Sequence, residues 1–325
     1  MAQPTMRVAI GQFSEPADEF LRFGAQLGAS GVVLNTPRLP GQARWEYDDL
    51  ARLRERVESY GLRLESLENT TLHFYDRAML GLPGREEQIA NYQATIQAVG
   101  RAGIPVLGYH FMPNGVWRTS REAPGRGGAL CTAFDLEAVR DAPPSHGRVF
   151  GEDELWANYE QFLRAVLPVA EAAGVRLALH PDDPPVASLG GVARLFRSFE
   201  GFRRAMDLVP SPAHGLDFCM GCWSEMGPDG GVLRAIRHFG SRGQIVYVHF
   251  RDVQGTVPSF QECFLGEGNT DVVAALRGLL EVGFDGFLID DHVPRLADDT
   301  PWGHRGRAHQ TGYIMGLLAA LRIPG

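Results

Sequence analysis

The sequence lacks an apolar run that approaches the roughly 20 residues of a membrane span. Its first residues, MAQPTMRVAIGQ, also lack the basic and hydrophobic regions of a secretory signal peptide. Cysteine is scarce, and four cysteines in 325 residues are too few for disulfide bonds to stabilise a chain of this length. These absences predict a cytoplasmic protein with free thiols, in which a cysteine that matters is a metal ligand or a nucleophile.

Basic clusters and arginine-rich stripes are missing too. The chain carries 31 Lys and Arg against 39 Asp and Glu, for a formal net charge of -8. Such a chain is not expected to bind nucleic acid, and a small-molecule partner fits better. A hydrophobic fraction of 44% supplies material for one large core. Because no linker-like run or solenoid repeat divides the chain, we predict a single domain over residues 1–325.

Eight short apolar segments alternate with segments of helical period, such as 47–60, 88–102 and 153–173. The predicted strands are 7–12, 31–35, 62–69, 105–111, 176–180, 214–219, 245–250 and 286–291. Eight such alternations predict an α/β fold, a closed (β/α)8 TIM barrel. Residues 113–148 are rich in Gly, Pro and Arg and have no period, so we predict a long loop insertion there, facing the active site.

Four candidate metal ligands each close an apolar strand. His180 ends RLALH, Cys219 ends GLDFC, His249 ends IVYVH and Asp291 ends GFLIDD. Because the carboxyl ends of parallel barrel strands share one rim, these residues are expected to converge. One histidine at a strand end is more often structural, but two imidazoles, a thiolate and a carboxylate on consecutive strands predict a metal site.

The identity of the metal stays open at this point. Thiolate and imidazole ligands suit zinc or iron, whereas an oxygen-rich pocket with substrate oxygens suits manganese. Cys219 and Cys222 also have the C-x-x-C spacing of redox sites and zinc knuckles. We interpret Cys222 as a small buried or supporting thiol, because the sequence has no second C-x-x-C pair and no thioredoxin-like unit around the first.

Other polar residues near these strand ends are candidates for catalysis or binding. His292 follows a ligand directly and could act as a general acid or base. His110 and Arg118 follow the fourth strand among aromatic residues, a surface that suits a polyhydroxy acid. Asp182 lies in a proline-rich turn after His180 and could contact substrate or support the ligand. Arg251 is either an anion clamp or an interior salt-bridge partner.

At these residues the sequence resembles the mannonate dehydratase family, in the same order along nearly the whole chain. The agreement covers residues 81–85, 103–113, 117–119, 168–185, 211–215, 218–219 with 221, 249–251 and 283–286. The resemblance implies a xylose-isomerase-like barrel and a hydro-lyase that converts D-mannonate to 2-keto-3-deoxy-D-gluconate. It implies a divalent metal, usually Mn²⁺, with Fe²⁺ or Zn²⁺ as alternatives, on His180, Cys219, His249 and Asp291, and it makes His292 catalytic.

The sequence departs from the family pattern at four places, the first of which is Leu72-His-Phe-Tyr75 in place of Val-His-Glu-Asp. Ile289-Asp290 stands where the family has Arg-Pro, and Cys219-Met-Gly-Cys222 replaces Cys-Thr-Gly-Ser. Trp302-Gly303-His304 replaces Pro-Gly-Tyr, which makes His304 a candidate substitute for a catalytic tyrosine. These departures leave open a sugar or sugar-acid isomerase or epimerase of the same superfamily, and a sugar-acid-binding protein. The exact substrate and a homo-oligomeric state stay open as well.

Overall fold

The computed structural model describes residues 6–227 and 231–321, so the predicted domain bounds 1 and 325 lie outside the described residues. Over the described ranges the chain forms fourteen strands. In chain order they are β1 (Arg7–Phe13), β2 (Gly31–Asn35), β3 (Arg63–Glu68), β4 (Val106–Tyr109), β5 (Ser120–Pro124), β6 (Leu130–Asp135), β7 (Arg176–Leu179), β8 (Ser188–Leu189), β9 (Val192–Ala193), β10 (His214–Cys219), β11 (Ile245–His249), β12 (Val253–Thr256), β13 (Ser259–Glu262) and β14 (Phe287–Ile289).

The same residues contain ten α-helices, and none of them is long and apolar enough to cross a membrane. The helices are α1 (Asp18–Leu27), α2 (Tyr47–Glu58), α3 (Asp76–Leu80), α4 (Arg85–Arg101), α5 (Glu152–Ala173), α6 (Phe199–Leu208), α7 (Met220–Glu225), α8 (Val232–Gly240), α9 (Val272–Glu281) and α10 (His304–Leu321). The long α5 begins with three acidic residues and ends at Gly174, which takes a left-handed φ of 66°. Both features stabilise helix ends.

Eight of the strands close into a parallel barrel in the order β1, β14, β11, β10, β7, β4, β3, β2. Consecutive barrel strands are neighbours in space, and β14 completes the barrel by pairing with β1. Each of the eight predicted strands overlaps one of these, and the predictions 31–35 and 214–219 match β2 and β10. The predicted (β/α)8 barrel is therefore confirmed.

Strand side chains alternate between two apolar layers, because successive residues point to opposite faces of a sheet. Outward residues such as Leu107, Leu177 and Leu216 join the main core with the helices. Inward residues fill the barrel with a smaller cluster made of Ala9, Val33, Val106, Ala178, Val246, Tyr247, Phe287 and Ile289. This packed interior forms a floor beneath the polar residues at the carboxyl ends of the strands.

The predicted loop 113–148 does follow β4, but it is not irregular throughout. It contains β5 and β6, which pair with the β12–β13 hairpin in an antiparallel sheet of order β12, β13, β6, β5. Phe134 and Phe260 pack together in the core of this sheet, with ring centroids 5.8 Å apart. The strands are short and flanked by Gly and Pro, which hides their alternating pattern in the sequence. We refer to β5, β6, β12 and β13 as the cap sheet.

Candidate metal centre and active site

The barrel brings the four predicted ligands to one rim. Cys219 and His249 end β10 and β11 and are partners in register, whereas His180 follows β7 directly and Asp291 lies two residues beyond β14. His249 Nδ1 is 3.4 Å from Asp291 Oδ2, and Cys219 Sγ is 3.9 Å from the same oxygen. His180 has a nitrogen within 4.8 Å of the sulfur of Cys219. Cys219 therefore lies within 4.8 Å of a possible ligand atom from each of the other three residues.

Each imidazole has one nitrogen fixed by a hydrogen bond. His180 Nδ1 donates to the carbonyl of Pro181 over 2.7 Å, and His249 Nε2 donates to Glu68 Oε2 over 2.8 Å. The opposite nitrogen of each ring is left for another partner. Metal-binding histidines usually have this arrangement, in which an outer hydrogen bond sets the tautomer and the ring orientation.

Glu68, at the end of β3, supports His249 and is itself held from two neighbouring strands. Gln12 and Asn35 donate to Glu68 Oε1 over 3.0 and 3.1 Å. Gln12 and Asp291 have positive φ values of 67° and 46°, a conformation that costs non-glycine residues free energy. The backbone is thus strained where β1 and the segment after β14 present side chains to the site. Sequence reasoning missed Glu68, because β3 carries Arg63, Glu65 and Ser66 and so lacks the apolar run that precedes each predicted ligand.

Asp217 and Tyr247 lie one layer below Cys219 and His249 on the same inward faces. Tyr247 donates its hydroxyl hydrogen to Asp217 Oδ2 over 2.8 Å, and Asp217 Oδ1 is 3.3 Å from His249 Nε2. Burial raises the pKa of Asp217 to about 7. The two-residue alternation of a strand could have identified Asp217, since it must point the same way as Cys219.

The surroundings of two of the four predicted ligands favour their anionic forms. Burial opposes ionisation of Cys219, yet the hydrogen bond with Cys222, the charge of Arg251 and contacts with His180 and His249 hold its pKa well below the usual value. Burial likewise opposes ionisation of Asp291, but nearby positive charge on His292, His249 and Arg251 lowers its pKa. A thiolate and a carboxylate are the protonation states that a metal ion requires.

The residues present fit a divalent cation. His249 Nδ1 is buried without a well-formed hydrogen bond, although it lies between Cys219 and Asp291. A buried polar atom without a partner is costly, and coordination to a cation would satisfy it. Two imidazoles, one thiolate and one carboxylate are within the usual ligand set of zinc, iron and manganese sites.

Arg251 is the centre of a buried ion-pair network behind the ligands. Its guanidinium donates to Asp291 Oδ2 at 2.7 Å, to Glu225 Oε1 at 2.9 Å and to Asp183 Oδ2 at 3.0 Å. Gly221 makes room for it, because a methyl group at this glycine would lie 2.2 Å from Arg251 Nη1. With its side chain 2% exposed, Arg251 has the contacts of an interior salt-bridge partner, the second of the two roles considered for it.

His292 lies at the edge of this network and is the most exposed member, with 35% of its side chain accessible. Its Nδ1 donates to Glu262 Oε1 over 2.6 Å, and its Nε2 is 3.7 Å from Asp291 Oδ1. Glu262 ends β13 of the cap sheet and also accepts a hydrogen bond from Arg118 over 2.8 Å. The cap sheet therefore fixes the orientation of His292. No feature of the sequence indicated Glu262, because its partner is 30 residues away on a different element.

The predicted substrate contacts have mostly interior partners. Arg118 is 4% exposed and pairs with Asp183 and Glu262. Asp182 Oδ2 accepts from the backbone N–H of Phe196 over 2.6 Å, so this carboxylate holds the turn after β7. Burial lowers the pKa of His110 to about 3, which keeps this imidazole neutral. Substrate binding by His110, Arg118, Asp182 and Arg251 stays a prediction.

The structure does not bring His304 to the ligands. It begins α10, its Nε2 is 3.3 Å from Glu19 Oε1 on α1, and its ring packs against Phe23 with centroids 4.9 Å apart. Its Nδ1 shares a hydrogen bond with the hydroxyl of Thr300 over 2.6 Å. These contacts give His304 an anchoring role between α1 and α10, while its predicted catalytic role stays untested.

An open cavity of about 820 Å³ lies at the carboxyl ends of β1 and β2. Gln12 and Asn35, the two residues that hold Glu68, line it, together with Arg38, His73 and Trp302. The cavity thus borders the side chains that support the predicted metal ligand His249. Its size, and the polar side chains among its mainly apolar walls, suit a small polyhydroxy compound.

Comparisons with known proteins agree with this geometry. The family model described as D-mannonate dehydratase (UxuA) matches residues 20–149 and 145–323. A mannonate dehydratase of Streptococcus equi subsp. zooepidemicus is 32% identical over 324 residues, which cover 90% of this chain and 88% of the relative.

Solved structures give the same result. The crystal structure of mannonate dehydratase from Streptococcus suis serotype 2 has a TM-score of 0.89 at 29% identity, covering 99% of this chain and 96% of that one. A xylose isomerase domain protein from Planctomyces limnophilus has a TM-score of 0.62 at 14% identity, covering 98% and 97%, and so shares the fold. The resemblance seen in the sequence is confirmed: the chain belongs to the D-mannonate dehydratase family, on a xylose-isomerase-like barrel.

Proposed function

We propose that this chain is a hydro-lyase that dehydrates D-mannonate to 2-keto-3-deoxy-D-gluconate. Its membership of the mannonate dehydratase family supports the substrate and the reaction. The observation that carries the proposal is His292, an imidazole oriented by Glu262 that presents Nε2 beside the ligand Asp291. A proton-transfer group next to four convergent ligands is what removal of water from a sugar acid needs.

We propose Mn²⁺ as the cation and His180, Cys219, His249 and Asp291 as its ligands. When bound there, a divalent cation supplies positive charge that orients substrate oxygens and stabilises the negative charge developing as the C2 proton leaves. The convergence of the four side chains and the unpartnered His249 Nδ1 support this assignment.

The protein's own residues handle the protons. The bond from Nδ1 to Glu262 leaves Nε2 of His292 as the atom that exchanges a proton with substrate. Burial lowers the pKa of His292, but the negative charges of Asp291 and Glu262 outweigh it and raise that pKa. At Nε2 a neutral His292 can take up the C2 proton, and the imidazolium that results can donate that proton to the departing C3 hydroxyl group, which leaves as water. The cap sheet borders this side of the site through the bond between Glu262 and His292.

The test is turnover of D-mannonate by purified protein loaded with Mn²⁺. We expect a 2-keto-3-deoxy acid, detected chemically and by NMR, and we expect His292→Asn to lower kcat by about 100-fold or more while retaining its metal. His309→Asn, a change of a histidine on α10 that packs on Phe264, is the matched control and should keep wild-type turnover.

Three outcomes would contradict the proposal. Formation of an epimer of mannonate without loss of water would favour the isomerase or epimerase alternative. Wild-type kcat in His292→Asn would remove this residue from the chemistry. If His292→Asn lost its bound metal and not only its turnover rate, His292 would be a metal ligand.

A further inference from the structure

Two cysteines meet at the centre of the ligand group. Cys219 precedes α7 and Cys222 lies in its first turn, so the two side chains are three residues apart on one face. Their sulfurs and a nitrogen of His180 all lie within 4.8 Å of one another. Both side chains are free thiols and are fully buried. A ligand sulfur therefore has a second sulfur within reach, a short side-chain movement from bonding distance.

A buried cation lies against the pair. The guanidinium of Arg251 places Nη2 3.3 Å from the sulfur of Cys222. Thiol oxidation starts from a thiolate, because the thiolate is the nucleophile, and a neighbouring cation favours it. The other two cysteines belong to the cap sheet, where Cys131 is in β6 and Cys263 directly follows β13. The pair at the ligand group is therefore Cys219 and Cys222.

We propose that Cys219 and Cys222 form a disulfide when the metal-free protein meets a peroxide, and that this bond abolishes metal binding. The Cys219 thiolate attacks one peroxide oxygen, the O–O bond breaks, and a sulfenic acid and hydroxide form. The sulfur of Cys222 then attacks the sulfenic sulfur, the S–S bond forms, and the oxygen leaves as water with the thiol proton. The two sulfurs lose two electrons in total, which the peroxide accepts.

A bound cation and the disulfide exclude each other, because both need the same electron pair of Cys219. A bound metal ion therefore protects the two thiols from oxidation, and loss of the metal makes them available to peroxide. The family pattern has serine where this chain has Cys222, so the serine variant is the natural control. The inference rests on the proposed metal site and is independent of the substrate that the enzyme converts.

The test combines a disulfide map with metal content and needs no activity assay. Metal-free and Mn²⁺-loaded protein are treated with hydrogen peroxide, and a non-reducing digest is analysed by mass spectrometry. We expect a Cys219–Cys222 crosslink in the metal-free sample, formed at least about tenfold more slowly in the loaded sample. The oxidised protein should bind no Mn²⁺ until dithiothreitol restores the thiols.

Two variants complete the design. Cys222→Ser should bind Mn²⁺ when reduced, form no crosslink, and instead accumulate oxygen on Cys219. Cys131→Ser should crosslink as the wild type does. The inference is overturned if four free thiols persist in oxidised metal-free protein, or if the crosslinked protein still binds Mn²⁺. If the reduced protein binds no Mn²⁺ and still forms the Cys219–Cys222 crosslink on oxidation, the ligand assignment is overturned and only the disulfide is supported.

Discussion

Replacing Glu68 with glutamine should weaken metal binding without removing any ligand. Glu68 now accepts from His249 with one oxygen and from Gln12 and Asn35 with the other, over 2.8, 3.0 and 3.1 Å. Glutamine has the same shape but only one accepting oxygen, so it cannot satisfy both sides at once. The variant loses either the bond that fixes the His249 tautomer or the bonds from Gln12 and Asn35 that hold side chain 68.

The size of the effect follows from that lost bond. Hydrogen bonds to charged groups contribute about 1.5–3 kcal/mol, which corresponds to about a 10- to 150-fold change in an equilibrium constant. Loss of an outer partner of a ligating histidine typically costs about 10- to 100-fold in metal affinity. We therefore expect the Kd for Mn²⁺ to rise by about 10- to 100-fold in Glu68→Gln.

The assay is competition between the protein and a calibrated chelator for Mn²⁺. Glu65→Gln is the matched control, because Glu65 lies on the same strand, is buried to a similar degree and pairs with Arg7 at 3.2 Å, away from the ligands. The control should keep the wild-type Kd. An unchanged Kd in Glu68→Gln would show that the bond to His249 does not position a ligand.

Two further predictions concern the other histidines. His304→Phe should keep the wild-type pH profile of kcat and lower the free energy of unfolding by about 1 kcal/mol, through loss of its hydrogen bond with Thr300. A lost alkaline limb would instead support the predicted catalytic role. Burial lowers the pKa of His214 to about 3, so His214 stays neutral in the folded protein at pH values where it takes up a proton in the unfolded protein. The contribution of His214 to the free energy of unfolding is therefore complete above about pH 6.5. Below that pH it falls by about 1.4 kcal/mol per pH unit, until the pH nears the folded pKa. In denaturant titrations between pH 6.5 and 5, the free energy of unfolding of His214→Gln should fall less steeply with decreasing pH than that of the wild type, and equal slopes would count against this prediction.

The barrel could be predicted because its strands and helices have strong local patterns. Buried parallel strands are short, continuous apolar runs, and glycine ends several helices, so the eight strands stood out. The convergence of His180, Cys219, His249 and Asp291 followed from topology alone, since all carboxyl ends of the strands meet on one rim.

Contacts between distant elements could not be predicted in this way. The cap sheet pairs β6 with β13, and no local pattern specifies which strands meet across more than a hundred residues. Glu262 depends on that pairing, and so does the orientation of His292. Arg251 illustrates the same difficulty, because its two possible roles differ only in which carboxylates surround it once the chain has folded.

The central claim is a metal centre in which Cys219 is a ligand, and the most direct test is the manganese content of purified variants. After loading and gel filtration, wild-type protein should carry about one Mn²⁺ per chain. Cys131→Ala, which removes a buried cysteine of the cap sheet, should carry the same amount, whereas Cys219→Ala should carry almost none because one of four ligands is lost. Full occupancy in Cys219→Ala would contradict the account.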